Sequence, residues 1–207
     1  MHKHLWTWHR RLGALVAIVV IFLSISGIAL NHTETFKLDQ KHVQTGWLLN
    51  WYGIHAPSEA WSVEVNGTRI LLLGDHLYAD DKLIGAPYSE LHGAGWNGQL
   101  LAIAAGAEML LLTPDLTLVE RMTVSDGLPA DIQAVGSDSA NRIAVLTPEG
   151  QWIADRQLLD WEPAEQSTGI NWLPNPVQIT ENIEDIREHY RGRILNWERV
   201  FLDIHSG

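Results

Sequence analysis

From Leu12 to Leu30 the chain runs LGALVAIVVIFLSISGIAL, 19 residues without a charge. At about 1.5 Å per residue a helix of that length rises about 28 Å, close to the roughly 30 Å hydrocarbon core of a bilayer. The pattern therefore predicts a transmembrane helix over 12–31. A cleaved signal peptide is the rival, since Ser24-Ile25-Ser26 and Gly27-Ile28-Ala29 are small-x-small sites. A signal's apolar region spans only about 7 to 15 residues, which favours a retained anchor. Projected at about 100° per residue, His9, Gly13, Ala17, Val20, Ser24, Gly27 and Asn31 share one stripe, opposite Leu, Ile, Val and Phe. Small residues let a second membrane helix approach closely, so Gly13, Ala17, Ser24 and Gly27 are expected helix-packing positions. No other stretch is long and apolar enough to be that partner. It is expected from a partner subunit or from a second span missing after Gly207.

Beyond the span the rhythm changes. Residues 32–60 read as a connector, in which GWLLNWYGI over 46–54 sets Trp47 with Trp51 and Leu48 with Tyr52 at i, i+4. That segment either lies along the membrane surface or caps the next domain as a short turn of helix. From Trp61 to Trp161, short apolar runs alternate with turn signals at Asn66-Gly67, Asn97-Gly98, Pro114-Asp115 and Pro148-Glu149-Gly150, the texture of antiparallel β-structure. Internal repeats are visible. Leu111-Leu112-Thr113-Pro114-Asp115 returns as Val145-Leu146-Thr147-Pro148-Glu149, and Thr68 to Leu73 with Leu77 to Asp80 parallels Asn141 to Leu146 with Trp152 to Asp155. A closed propeller takes about 4 to 8 four-stranded blades, more than about 100 residues supply. The expectation is a mainly β fold: one N-terminal transmembrane helix, then a small antiparallel β-domain of repeated meanders over 61–162, either an incomplete propeller or a sandwich. The remainder, 163–207, is expected to hold a helix over Thr180 to Tyr190, capped by Thr180 with Ile183 and Ile186 inward, and a β-prone strand over Asn196 to Ile204.

Charge refines this picture. Fourteen Lys and Arg against 25 Asp and Glu give a net charge of −11, which argues against a nucleic-acid partner. Residues 1–11 carry Lys3, Arg10 and Arg11 and no acid. The positive-inside rule makes that tip cytoplasmic and puts the acidic body on the outer side. With no cysteine there is no disulfide, thiolate zinc site, thiol nucleophile or covalent c-type haem. GxSxG, HExxH and Walker motifs are missing, Gly93-Ala94-Gly95 reads as turn glycines, and the acidic residues lack calcium-loop spacing. A non-catalytic binding or assembly module fits best, held by the lipid bilayer and another transmembrane helix.

The segments Trp8-His9-Arg10-Arg11-Leu12-Gly13, Ser26 to Thr33 (SGIALNHT), Leu49-Asn50-Trp51-Tyr52-Gly53 and Trp197 to Gly207 (WERVFLDIHSG) resemble the PepSY-associated transmembrane helix family, in its short, two-span form. The resemblance implies a bacterial inner membrane, a periplasmic β-domain and a second span after the His-Ser-Gly end. Larger relatives resemble haem-carrying reductases of iron-siderophore systems. By that likeness His9, His205 and His32 become candidate haem b ligands, and a transmembrane electron-transfer or ferric reductase component becomes the alternative function. His9 and His32 lie about 35 Å apart along a helix and cannot share an iron, whereas His205 can meet His32 on the outer side. The plain reading stands beside this one: His9 next to Arg10 is an interfacial anchor, and His32 and His205 cap element ends. His2, His4, His42, His55, His76, His92 and His189 read as solvated or structural, and Arg199 with Asp203 as a strand-end ion pair.

Overall fold

The computed structural model describes residues 2–165 and 169–206, with side chains from residue 6 onward. The side chains of His2 and His4, and Gly207, lie outside the described residues. The chain divides into two compact units, 1–55 with 188–207, and 56–187.

The first unit is helical. Helix α1 (His2–Asn31) runs unbroken through the apolar stretch, because nothing in it lacks a backbone N–H or carries a charge. It stops at His32, whose φ of −119° and ψ of 29° leave the helical region. A single turn, α2 (Thr33–Phe36), and a short amphipathic helix, α3 (Gly46–Trp51), follow. The end of α4 (Glu184–Arg191) and all of α5 (Trp197–Ser206) complete the unit. Helix α5 begins beside the connector, with the Trp197 N–H donating to Lys41 O (2.9 Å) and the Glu198 N–H to Leu38 O (3.1 Å). Its far end reaches Ser26 of α1, so α5 runs back along α1 in the opposite sense. Val43, Leu49, Leu195 and Val200 form a small core there, joined by Leu48, Tyr52, Ile54, Trp197 and Ile204. Arg191 secures α3 by donating to Ile54 O (3.0 Å) and to Asn50 Oδ1 (2.5 Å).

The strand expected over Asn196 to Ile204 is instead helix α5. Asn196 caps it, its Oδ1 accepting from the Arg199 N–H at 2.9 Å, and Val200 and Ile204 project to the same core at i, i+4. Packing of that stripe overrides the β-propensity of Val, Phe and Ile. Arg199 and Asp203 pair at 3.1 Å as i, i+4 neighbours on this helix, not at a strand end. The earlier helix also starts later than expected. Helix α4 opens at Glu184 and Thr180 does not cap it, although Ile183 and Ile186 are buried as anticipated.

The second unit is mainly β, built from three antiparallel sheets. The first is the meander β1 (Ala60–Val65), β2 (Thr68–Leu73), β3 (His76–Ala79) and β4 (Lys82–Gly85). The second is β5 (Leu91–Trp96), β6 (Leu101–Ala105), β7 (Glu108–Leu112) and β8 (Leu118–Met122). The third is β9 (Ala134–Ser137), β10 (Ile143–Thr147), β11 (Gly150–Ala154) and β12 (Trp161–Ala164). The returning chain then adds β13 (Asn171–Trp172) to β9 and β14 (Val177–Ile179) to β1. A strap thus crosses from the third sheet to the first and occupies an edge of each. The expected end of the β-domain at residue 162 is therefore too early, because two edge strands come from the segment after it.

The middle sheet is buried on both faces. Leu101, Ile103, Ala105, Leu110 and Leu112 face Val63, Ile70, Leu72 and Leu77 of the first sheet. Ala102, Ala104, Met109 and Leu111 face Val135, Ile143 and Val145 of the third. This period-two alternation explains why every residue of β6 is apolar and buried. Gly95 permits the close approach of the third sheet, since a Cβ there would lie 2.8 Å from Ile143 Cδ1. The two sequence repeats differ in meaning. Thr68 to Asp80 and Asn141 to Asp155 both form second-to-third hairpins, β2–β3 and β10–β11. The Thr-Pro-acid repeat instead lies between β7 and β8 in one sheet and between β10 and β11 in the other, so it marks a turn and not a blade boundary.

Candidate functional site

Ser26 and His205 meet where α5 packs on α1. Ser26 is buried, and its Oγ donates to Leu23 O at 3.0 Å. With that proton committed, the 3.0 Å contact between Ser26 Oγ and His205 Nδ1 is assigned as Nδ1–H donating to Oγ, which leaves the lone pair on His205 Nε2. The His205 ring lies over Gly27: a Cβ at that position would be 3.2 Å from His205 Cε1. Any larger residue there would make the ring give by a few tenths of an ångström.

Beside this contact a groove of about 500 Å³ runs along α1, lined by Leu23, Ser24, Gly27, Asn31, His32 and His205 among others. The sequence-derived stripe forms its floor. Gly27 and Ser24 lie in the groove, with the Ser24 hydroxyl turned back onto Val20 O at 2.8 Å. Gly13 has open space around it and Ala17 is exposed, so among the described residues neither is packed against another helix. Helix α5 does not lie centrally on the stripe. It sits on its flank, drawn to Ser26, which projects about 100° away from Gly27. Periodicity missed Ser26 for that reason, because a lone serine beside a small-residue stripe carries no separate signal.

Of the three candidate histidines, His32 and His205 line the same groove and His9 does not. His9 is 17 residues before Ser26 on α1, about 26 Å along the axis. Helix α1 ends at His32, whose ring meets Phe36 edge-on at 6.2 Å between centroids. Among the described residues, no cluster of three or more His, Asp or Glu side chains forms a metal site. In the connector, Tyr52 has its hydroxyl pushed up from its ordinary value by burial and then by its hydrogen bond to Asp203.

The charge is as segregated as the apolar surface. Residues 56–187 hold 6 Lys and Arg against 20 Asp and Glu, whereas residues 32–55 and 188–207 together hold 5 of each. No family model matches this chain, and no curated protein matches it in sequence.

Proposed function

We propose that this protein is a non-catalytic, membrane-anchored binding and assembly module of the PepSY-associated transmembrane type. Helix α1 spans a bacterial inner membrane, its N-terminus is cytoplasmic, and the β-unit is periplasmic. The observation that carries the reading is α1 itself: Trp6–Asn31 is long and apolar enough to cross a bilayer, and its side chains are almost entirely exposed. The open groove over Ser24 and Gly27 supports a second transmembrane helix as partner, entering alongside α1 in the direction α5 already takes. Lys3, Arg10 and Arg11 support the orientation. Because the chain has no cysteine, single-cysteine variants report topology cleanly. Asn97→Cys should react with an impermeant maleimide added outside spheroplasts and Lys3→Cys only after lysis, while the protein stays in the membrane through alkaline carbonate. Release by carbonate, or a mature N-terminus near residue 27 or 30, would sink the reading.

A redox reading is favoured by one observation, the meeting of two imidazoles on a single groove. His205 retains Nε2 for ligation, its other nitrogen is oriented by Ser26, and Gly27 leaves the groove floor without a side chain, a donor set that suits haem b. His32 and His205 would be the ligands from this chain, and His9 would serve a different site. Haem so held would supply one-electron transfer. Membranes carrying the protein under haem-replete expression should then show a Soret band that is lost in His205→Ala. Its absence leaves the assembly module alone.

A further inference from the structure

We propose that α3 is a lipid-facing foot, with Trp47 and Trp51 seated in the headgroup layer of the bilayer that α1 crosses. The inference rests on α1 being a membrane span, and it selects between the two readings that the sequence leaves open for this segment. Helix α3 has two unlike sides. Leu49 is buried at 3 % exposure, whereas Trp47 and Trp51, one turn apart, are 67 % and 81 % exposed. Two adjacent indoles left in water are an unusual expenditure of apolar surface, yet indole suits the bilayer interface, where the ring meets acyl chains and the N–H meets water.

The height of α3 follows from contacts within the helical unit. Leu48, Leu49 and Tyr52 share a core with Ile204, and the next residue, His205, rests on Ser26 and Gly27. Ile204 and His205 differ by about 1.5 Å of helix rise. The α3 segment therefore lies near the level of the last two turns of α1, where a span of this length leaves the hydrocarbon. Arg191 holds it there through Ile54 O and Asn50 Oδ1. The occupant is lipid and not an acidic or basic protein surface, because the charges of this region balance at five of each sign. The same balance means that zwitterionic lipid is sufficient.

The test uses the full chain in phosphatidylcholine vesicles, labelled with an environment-sensitive fluorophore at one introduced cysteine. Trp47→Cys and Trp51→Cys are examined separately, each keeping the other indole, with Val19→Cys as the deep reference and Asn97→Cys as the aqueous one. Labels at 47 and 51 should emit to the blue of the Asn97 label and be quenched more by a nitroxide at a shallow acyl position than by a deep one. The label at 19 should show the opposite order. Water-like, unquenched emission at 47 and 51 with deep quenching at 19 overturns the foot and leaves the anchor intact. Blue emission at 47 and 51 without lipid quenching overturns it in favour of a protein contact. Water-like emission at 19 overturns anchor and foot together.

Discussion

Helix α1 and strand β6 are made of the same side chains in opposite surroundings. Leu15, Ile18, Ile21 and Ile28 of α1 are 58 to 66 % exposed, while Leu101 and Ile103 of β6 are at most 2 % exposed. In β6 the apolar groups are removed from water by the chain's own neighbouring sheets, each fully buried Leu or Ile contributing about 1.5–3 kcal/mol. Along most of α1 no described part of the chain does so. The same composition therefore stabilises the fold in one place and demands an environment in the other. Net charge follows the same division, since the β-unit holds the whole acidic excess and can remain in water.

The sharpest way to break the comparison is to make one truncation in both regions. Leu110→Ala in the core between the first and second sheets should destabilise the β-unit by about 2–5 kcal/mol in denaturant titration, whereas Leu15→Ala should leave that transition unmoved. A charge inverts the contrast. Val19→Asp should cost about 2.5–3.5 kcal/mol of membrane insertion, read as an increased carbonate-extractable fraction, without lowering the stability of the β-unit. Third in size is Gly136→Ala. Its Cβ would lie 2.9 Å from Asn171 O and 2.8 Å from the Trp172 ring, so the strap must shift off β9, at about 1–3 kcal/mol.

The smallest effect concerns acid sensitivity of the β-unit. Burial works to raise the Asp138 carboxyl, but the N–H groups of Arg142 and Ala140 and the Arg142 guanidinium outweigh it and hold the group below its ordinary value. A carboxyl lowered in the folded state adds stability above its unfolded pKa of about 3.9 and loses it as pH falls through the lowered value. Asp138→Asn should therefore flatten the acid limb of the stability profile below about pH 4 and do little to its slope at neutral pH.

Legibility along the chain followed the range of the interactions. Helix α1 declared itself through 19 uncharged residues, and the β2–β3 and β10–β11 hairpins through a local repeat. The strap did not, because β13 and β14 have only two and three residues and acquire their conformation by pairing with strands far earlier in the chain. In α5, Val200 and Ile204 carried a helical spacing, and Asn196 a cap, beneath residue types that favour strands. The Ser26 to His205 bond spans 179 residues and had no local trace at all. Only the burial of α5 against α1 brings the two together, whereas the stripe of Ser24 and Gly27 beside them was readable from periodicity.

The pairing of β14 with β1 sets Ala60 opposite Ile179. Backbones enter and leave the sheet assembly on neighbouring strands, about 5 Å apart. To the helices the sheets are thus a long excursion that returns to its point of departure, the arrangement that tolerates insertion, excision or exchange of a whole domain. Evolution or an engineer can replace the cargo carried on this handle without redesigning the handle.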